Sequence, residues 1–453
     1  SSGYASSRSM TRELGEPEWC DPLLGPTAPL QRRPPGRAQQ LCGGSRWAAT
    51  SLACVLGGAV AAASDNGGGD RSVGSLATLE TRLRAAWLAK AKAEEESPAL
   101  FRYAFDTASL RLHSVRGGVA QLCLGRASKR PANMTVASVR GAFDPAKFHF
   151  GKARVQELLL ALPPFRPFLE GGDLEAGACL SKASSCPPSP TLRESAGPPP
   201  TLLEAVASWE ELPEDAHALL INVNPMTLFH FLLAPAMRRW LPQVLTEDGL
   251  LAALQTVALL AGGARLVASG PEGRWVLFYN SLGGAASVNH LHFQGMLLHP
   301  PLPARMPIEL QPVRWVGEVV GLENETHLRH GVLPDWPLHT YVMEVNASTS
   351  TEHSDVWLRA LARAGYEFIS QLLDREIAHH LLIVDGGRRL YVVARRMQGQ
   401  FDSTRINVAG NEAVGHFIAP NLEEFEAFSE EVAREMLLTW RLDDSELLGI
   451  LAL

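Results

Sequence analysis

Two imidazoles and a carboxamide recur at alternate positions in His290-Leu-His292-Phe-Gln294. In an extended strand that spacing turns all three side chains to one face, with Leu291 and Phe293 turned away into an apolar layer. Just upstream, Asn280-Ser281-Leu-Gly283-Gly284-Ala-Ala-Ser287 is a run of small residues whose glycines let backbone N–H groups approach an anion closely. A neutral imidazole is a competent nucleophile because its ordinary pKa is about 6.5. Ser287 and the N–H groups of Gly283 and Gly284 could neutralise charge on a phosphate under attack. The alternatives are a chance pair of surface histidines or a zinc pair, but zinc needs further ligands, and the nearest one, His299, has the opposite strand parity. Phosphoryl or nucleotidyl chemistry is therefore the expectation, with no metal and no cofactor. Gln294 bears on reaction type. A carboxamide does not titrate near neutrality, so it binds an oxygen rather than moving a proton, which favours transfer to a phosphate acceptor over transfer to water.

The elements that must position this run are legible on both sides of it. Ser287–Leu298 reads as the motif strand. Arg265–Ala268 and Arg274–Tyr279 read as a hairpin around Gly270-Pro-Glu-Gly273. Thr246–Leu260 is an amphipathic helix with N-cap chemistry at Thr246 and a Gly262-Gly263 stop. Leu219–Val223 and Phe229–Leu233 are short apolar strands joined through Asn224-Pro225. Further on, Thr340–Val345 is a strand, and Ser354–Leu373 is a helix with Trp357, Leu361, Ala364, Phe368 and Leu372 on one face. Leu381–Val384 and Leu390–Ala394 pair across Asp385-Gly-Gly387. Upstream, Ser75–Glu96 and Ala153–Leu162 have helical period, the second ending at Pro163-Pro164. Phe101–Tyr103 and Val119–Leu124 are strand-like. Phe229-His-Phe-Leu-Leu-Ala-Pro235 is echoed by Gly415-His-Phe-Ile-Ala-Pro420, which suggests a duplicated α+β unit.

The 453 residues carry 46% hydrophobic side chains and a formal charge of −7, a soluble globular composition without the basic excess of a general nucleic-acid binder. None of the six cysteines follows Cys186, so the half holding the motif has neither a disulfide framework nor a thiolate metal site. A reducing, cytoplasmic setting is expected. Residues 1–75 read as a low-complexity leader, and Ser1 in place of Met suggests an incomplete or processed N-terminus. Its apolar stretch Trp47–Ala63 is marginal for a membrane span and leaves organelle targeting open. Residues 171–200, rich in Ser, Pro and Gly, read as an inserted mobile loop. The expected division is 76–335 as a catalytic N-terminal half and 336–453 as a degenerate C-terminal half.

Asn280, the Gly-rich run and Ser287-Val-x-His290-φ-His292-φ-Gln294 resemble the active-site motif of the histidine-triad superfamily. Glutamine in place of a third histidine resembles its transferase and phosphorylase branch. Within that branch the chain resembles the GDP-L-galactose and GDP-D-glucose phosphorylase family through four blocks. These are Leu100–Tyr103, Ser138-Val-Arg-Gly-Ala-Phe-Asp-Pro-Ala-Lys-Phe-His-Phe150, Ile221-Asn-Val-Asn-Pro225, and Tyr279–Gly284 running on to Gln294. Phe229-His230 departs from the Gly-His usual in that family. The resemblance implies an α+β fold of duplicated histidine-triad-like, galactose-1-phosphate uridylyltransferase-like antiparallel sheets with packed helices, one half catalytic. It further implies a GDP-hexose phosphorylase acting on GDP-hexose and inorganic phosphate, with His292 as nucleophile and His290 as its orienting partner. Asn280 would hold the loop or a ribose hydroxyl, and Asn280, Ser281, Gly283, Gly284 and Ser287 would bind substrate. GDP-L-galactose, and with it ascorbate biosynthesis, is the sugar adopted; GDP-D-glucose in nucleotide-sugar quality control is the alternative. A non-catalytic guanine-nucleotide-binding protein is the alternative of another class. No nucleic acid or membrane partner is expected, and a homodimer is compatible with this reading.

Other residues carry less. His217 reads as a satisfied core histidine, and His230 and His416 as candidates to flank the nucleotide. His379-His380 reads as a helix end, where a cation meets the dipole. Lys152 reads equally as a phosphate contact or a surface lysine. Asn133, Asn324 and Asn346 head glycosylation sequons that recur by chance.

Overall fold

The computed structural model describes residues 78–96, 100–103, 110–124, 136–164, 202–203, 205–261, 273–322, 326–347, 354–398 and 408–447. The leader with Trp47–Ala63, the insertion 171–200, the strand Arg265–Ala268 and the sequons at Asn133 and Asn324 lie outside these residues.

Among the described residues, ten strands form one sheet in the order β3-β4-β5-β7-β6-β11-β12-β10-β9-β8, antiparallel throughout. Its first half holds β3 (Leu158–Leu162), β4 (His217–Ile221), β5 (Phe231–Ala234), β6 (Arg274–Asn280) and β7 (Phe293–Leu298). Its second holds β8 (Arg314–Leu322), β9 (Thr326–Val332), β10 (Thr340–Ala347), β11 (Ala378–Val384) and β12 (Arg389–Arg395). Each half is a three-stranded meander, then a helix, then a hairpin whose last strand slots in beside the meander. The helices are α2 (Glu247–Leu260) and α3 (Ser354–Asp374), which follow α1 (Leu79–Glu96) in the chain. The halves meet where β6 pairs with β11, Asn280 opposite His380 and Leu277 opposite Ile383. By this order β8 and β9 belong with the second half, which starts ahead of the expected boundary at 335. A small second sheet, β1 (Arg111–Val115), β2 (Gly118–Leu122) and β13 (His416–Ala419), is followed by α5 (Leu422–Glu426) and α6 (Glu430–Thr439), while α4 (Gly410–Ala413) precedes β13.

Strands β3 to β7 and β10 to β12 are largely buried on both faces, which explains their near-continuous apolar runs, whereas β8 and β1 mix exposed and half-buried residues. Along β4, Leu219 and Ile221 face the helices and pack with Leu83 and Trp87 of α1, Leu254 and Val257 of α2, and Leu361 and Leu372 of α3. Ala218 and Leu220 face the other way, onto Phe150, Trp209 and Met237. On that same opposite side, Phe278, Met296, Leu382 and Val393 pack under Phe417, Phe428 and Trp440. Thr246 caps α2 as expected, accepting the Gly249 N–H at 3.1 Å.

Several expectations change. Ala153–Leu162 is a 3-10 turn followed by strand β3, because five apolar residues between turns fit a doubly buried strand as well as a helix turn, and pairing with β4 decides. Phe101–Tyr103 is a bend. His379 and His380 lie inside β11, fully buried, so no helix dipole is involved. The echo of His230 by His416 is not the repeat: His230 precedes β5 in the large sheet, whereas His416 opens β13, parallel to β2 in the small one. The duplication lies in strand order, where no short sequence pattern records it.

Candidate active site

The motif strand begins only at Phe293, so His290 and His292 sit in the loop 281–292 that joins β6 to β7. The Gly-rich part of that loop packs against the second half of the sheet. Ser281 donates its N–H to the His379 carbonyl at 3.0 Å, and its Oγ accepts the His379 N–H at 2.9 Å. Gly283 has φ +72°, and a Cβ there would lie 2.5 Å from Met397 Cγ. The Gly283 carbonyl accepts from Gln398 N–H at 2.7 Å, and the Gly284 N–H is used by the Ser281 carbonyl at 2.9 Å. Asn280 Oδ1 accepts the Gly410 N–H and bonds His380 Nδ1, each at 2.8 Å. Asn280, Ser281, Gly283 and Gly284 are thus turned inward, bracing the loop, while Ser287 is exposed.

His290 is fully buried. Its Nδ1 accepts the Phe150 N–H at 3.2 Å, so the ring hydrogen sits on Nε2 and is donated to the Met237 carbonyl at 3.1 Å. Both nitrogens are committed, which leaves His290 neither a nucleophile nor a metal ligand. Burial, then the neighbouring His292 and His149, push its pKa down to about 3. Phe143, Phe150 and Trp240 surround the ring, with centroids 5.8, 5.2 and 5.8 Å away.

His292 differs at one nitrogen. Its Nδ1 donates a shared hydrogen bond to the His290 carbonyl at 2.8 Å and to Gln243 Oε1 at 2.9 Å. The lone pair is therefore on Nε2, which has no partner among the described residues. Burial lowers the imidazole to about 4, so it is neutral at pH 7. The Phe150 ring stands edge-on at 5.1 Å. Gln294, two residues on and inside β7, is half-buried, and its side chain forms no hydrogen bond among the described residues. Its neighbours Phe293 and Leu297 face the helices, whereas Met296, of its own parity, faces the opposite core.

Three contributors carried no periodic signal. Gln243, in the connection before α2, is fully buried against the loop. Asn289 donates to the Gly141 and Ala142 carbonyls and accepts the Gln243 N–H at 2.8 Å, tying the 138–150 block to the site. His149 lies in that block, 4.7 Å edge-to-face from Trp240. Only the resemblance of the block pointed to it. Lys152 Nζ donates to the carbonyls of Pro145, Ala146 and Lys147, closing a local loop. His217 is the core histidine expected, its Nδ1 accepting from Ala236 N–H at 3.0 Å. His230 is buried and accepts the Met226 N–H at 3.1 Å, and His416 bonds Gln121 in the other sheet.

Among the described residues no helix is long and apolar enough to cross a membrane. Residues 202–296 match the family GDPGP1-like, N-terminal domain, and residues 314–450 match GDPGP1-like, C-terminal domain. The chain is 30% identical to human GDP-D-glucose phosphorylase 1 over 77% of its own length and 76% of the relative. It is 27% identical to GDP-L-galactose phosphorylase 2 of Arabidopsis thaliana over 75% of this chain and 68% of that one. Among solved structures, yeast Ap4A phosphorylase Apa2 in complex with Ap4A is similar at 13% identity and a TM-score of 0.49, over 81% of this chain and 99% of that chain. With both family domains matched in order and the loop 281–292 lying inside the first of them, this chain belongs to the GDPGP1-like family.

Proposed function

We propose that this chain is a GDP-hexose phosphorylase working by double displacement. His292 Nε2 attacks the α-phosphorus, forming a P–N bond as the bond to the bridging oxygen breaks, and hexose 1-phosphate leaves with that oxygen. Inorganic phosphate then attacks the guanylyl-imidazole, the P–N bond breaks, and GDP leaves with the imidazole neutral again. The observation that carries this reading is the neutral imidazole of His292 with hydrogen on Nδ1 and a lone pair on Nε2. His290 serves as scaffold for that imidazole, and Gln294 binds a phosphoryl oxygen without titrating. The names of the relatives support a GDP-hexose as substrate.

GDP-L-galactose is the first sugar to test, in keeping with the His-Leu-His-Phe-Gln motif, and would place the reaction on a route to ascorbate. GDP-D-glucose is the second, favoured by the higher identity to the human D-glucose relative. Catalytic efficiency on both separates them. The remaining proposals are a cytoplasmic location, read from a fluorescent fusion of residues 1–80, and turnover that survives chelation by EDTA.

Protein incubated with GDP-hexose labelled in the α-phosphate should retain acid-labile label on His292. His292→Ala should lose the label and at least ~10³-fold in turnover. Tight GDP binding with no phosphate-dependent release of hexose 1-phosphate would instead favour a non-catalytic nucleotide-binding protein.

A further inference from the structure

The ladder between β6 and β7 runs from Arg274 opposite Leu298 to Phe278 opposite Gln294. The same register would bring Tyr279 opposite Phe293 and then Asn280 opposite His292. The ladder stops short of that last pair, and the backbone groups of Asn280 and His292 meet the side chain of Gln243 instead. Gln243 Nε2 donates to the Asn280 carbonyl at 2.9 Å and to the His292 carbonyl at 3.1 Å. Gln243 Oε1 accepts the His292 N–H at 2.8 Å and the His292 Nδ1–H at 2.9 Å.

We infer that Gln243 is the positioning residue of the nucleophile: its carboxamide stands in for a strand neighbour, holds His292 off the ladder, and fixes its imidazole hydrogen on Nδ1. Resting on the proposed function for its kinetic consequence, this assignment concerns a residue that touches no substrate.

A carboxamide has two N–H donors and an oxygen with two lone pairs, and here all four are used. Its own backbone is held as well, the N–H by Asn289 and the carbonyl by the Tyr279 hydroxyl at 3.0 Å. The group is fully buried, so a replacement that satisfies only part of the set leaves orphaned polar atoms in a dry site. The His290 carbonyl also accepts the Nδ1 hydrogen, but it belongs to the same loop and moves with it. Gln243 ties the loop to β6.

Glutamate is the informative replacement. It keeps the acceptor, but sets a carboxylate oxygen against the carbonyls of Asn280 and His292. It also places a negative charge beside the Nδ1–H, which favours the imidazolium and removes the Nε2 lone pair. The titratable groups around His292 and Gln243 are His290, which interacts with His292, His149, which lies 6.2 Å from His290, and Tyr279, whose hydroxyl bonds the Gln243 carbonyl. None is a carboxylate, so the new charge would have no rival.

The test is ¹⁵N-histidine NMR of the unliganded full chain, wild type against Gln243→Glu and Gln243→Met, with kcat and KM measured across pH. Wild-type His292 should stay in the Nδ1–H form down to about pH 4. Gln243→Glu should raise its titration by at least about one pH unit and move the acid limb of kcat with it. Its kcat at neutrality should fall roughly tenfold or more, with KM little changed. Gln243→Met should mix the two tautomers and lower kcat without moving the acid limb. Wild-type tautomer, titration and kcat in both variants would overturn the inference. Should Gln243→Met fail to fold, the glutamate titration alone decides. A chain that turns over no GDP-hexose, yet shows these NMR changes, would overturn the proposed function and leave the role of Gln243 standing.

Discussion

The two halves of the sheet follow one plan and differ where the fourth strand of each turns into the fifth. In the second half that connection is residues 385–388, a tight turn in which Asp385, Gly386 and Gly387 all take positive φ. In the first it is residues 281–292, long enough to lay down a Gly-rich brace and then bury His290 and His292 against Phe150 and Gln243. The tight turn leaves no room for an imidazole, and its half serves as the wall behind the loop, through His379, His380, Met397 and Gly410. The two halves of one frame thus differ in a single connection, and the candidate site lies on the longer one. The other half keeps its rigidity and supplies the backing.

Acidification should separate the halves most strongly. Burial holds His217 and His292 to about 4 and His290 to about 3 in the first half, and in the second holds His379 to about 4 and, with Arg395 beside it, His380 well below its ordinary value. Folded pKa values below the unfolded one mean that this stability is complete above about pH 6.5 and is lost as pH falls towards 4, by up to about 3 kcal/mol for each imidazole. Urea midpoints should be flat above pH 6.5 and drop steeply below it. His379→Asn should soften that drop less than His217→Asn and His292→Asn combined. A midpoint unchanged down to pH 4 would contradict the buried neutral histidines.

Cutting the junction comes next. Asn280→Ala leaves the Gly410 N–H and His380 Nδ1 without their acceptor in a buried seam, at roughly 1–3 kcal/mol for each orphaned group. Denaturant unfolding should show that loss, together with reduced turnover, since the loop springs from this residue. Full turnover with lowered stability would mean the loop does not depend on the seam.

The smallest effect sharpens the contrast between the two turns. Gly387→Ala at φ +84° places Cβ 2.8 Å from the Leu254 carbonyl, and should lower stability by about 1–3 kcal/mol while kcat is kept. Gly283→Ala at φ +72° presses on Met397, a flexible side chain, and should lower stability less but reduce kcat as well. Equal kinetic effects of the two would erase the distinction between brace and site.

Legibility followed the range of the forces involved. The cap of α2 at Thr246, the inward stripe of α3 and the Asp385-Gly-Gly turn are settled within a few residues, and each is found where local chemistry placed it. Where a short apolar run fits two structures, as in Leu158–Leu162, only pairing with β4 chooses the strand. The alternation of His290, His292 and Gln294 reads as strand, yet β7 begins at Phe293, because the side chain of Gln243, about fifty positions upstream, occupies the place of the strand neighbour.

By itself, then, the sequence determined the chemistry on offer: two imidazoles beside a Gly-rich run, and a carboxamide in place of a further base. It also determined the local elements that flank them, since caps, turns and amphipathic faces depend on neighbours a few positions apart. Which imidazole keeps a free nitrogen was decided only by tertiary structure. Phe150 and Met237 occupy both nitrogens of His290, while Gln243 and the His290 carbonyl engage only Nδ1 of His292. The same holds for the glycines, which pack on the second half rather than facing solvent. Apart from the His290 carbonyl, which lies two positions from His292, the partners in these contacts lie tens to well over a hundred positions away, and no spacing along one chain records them.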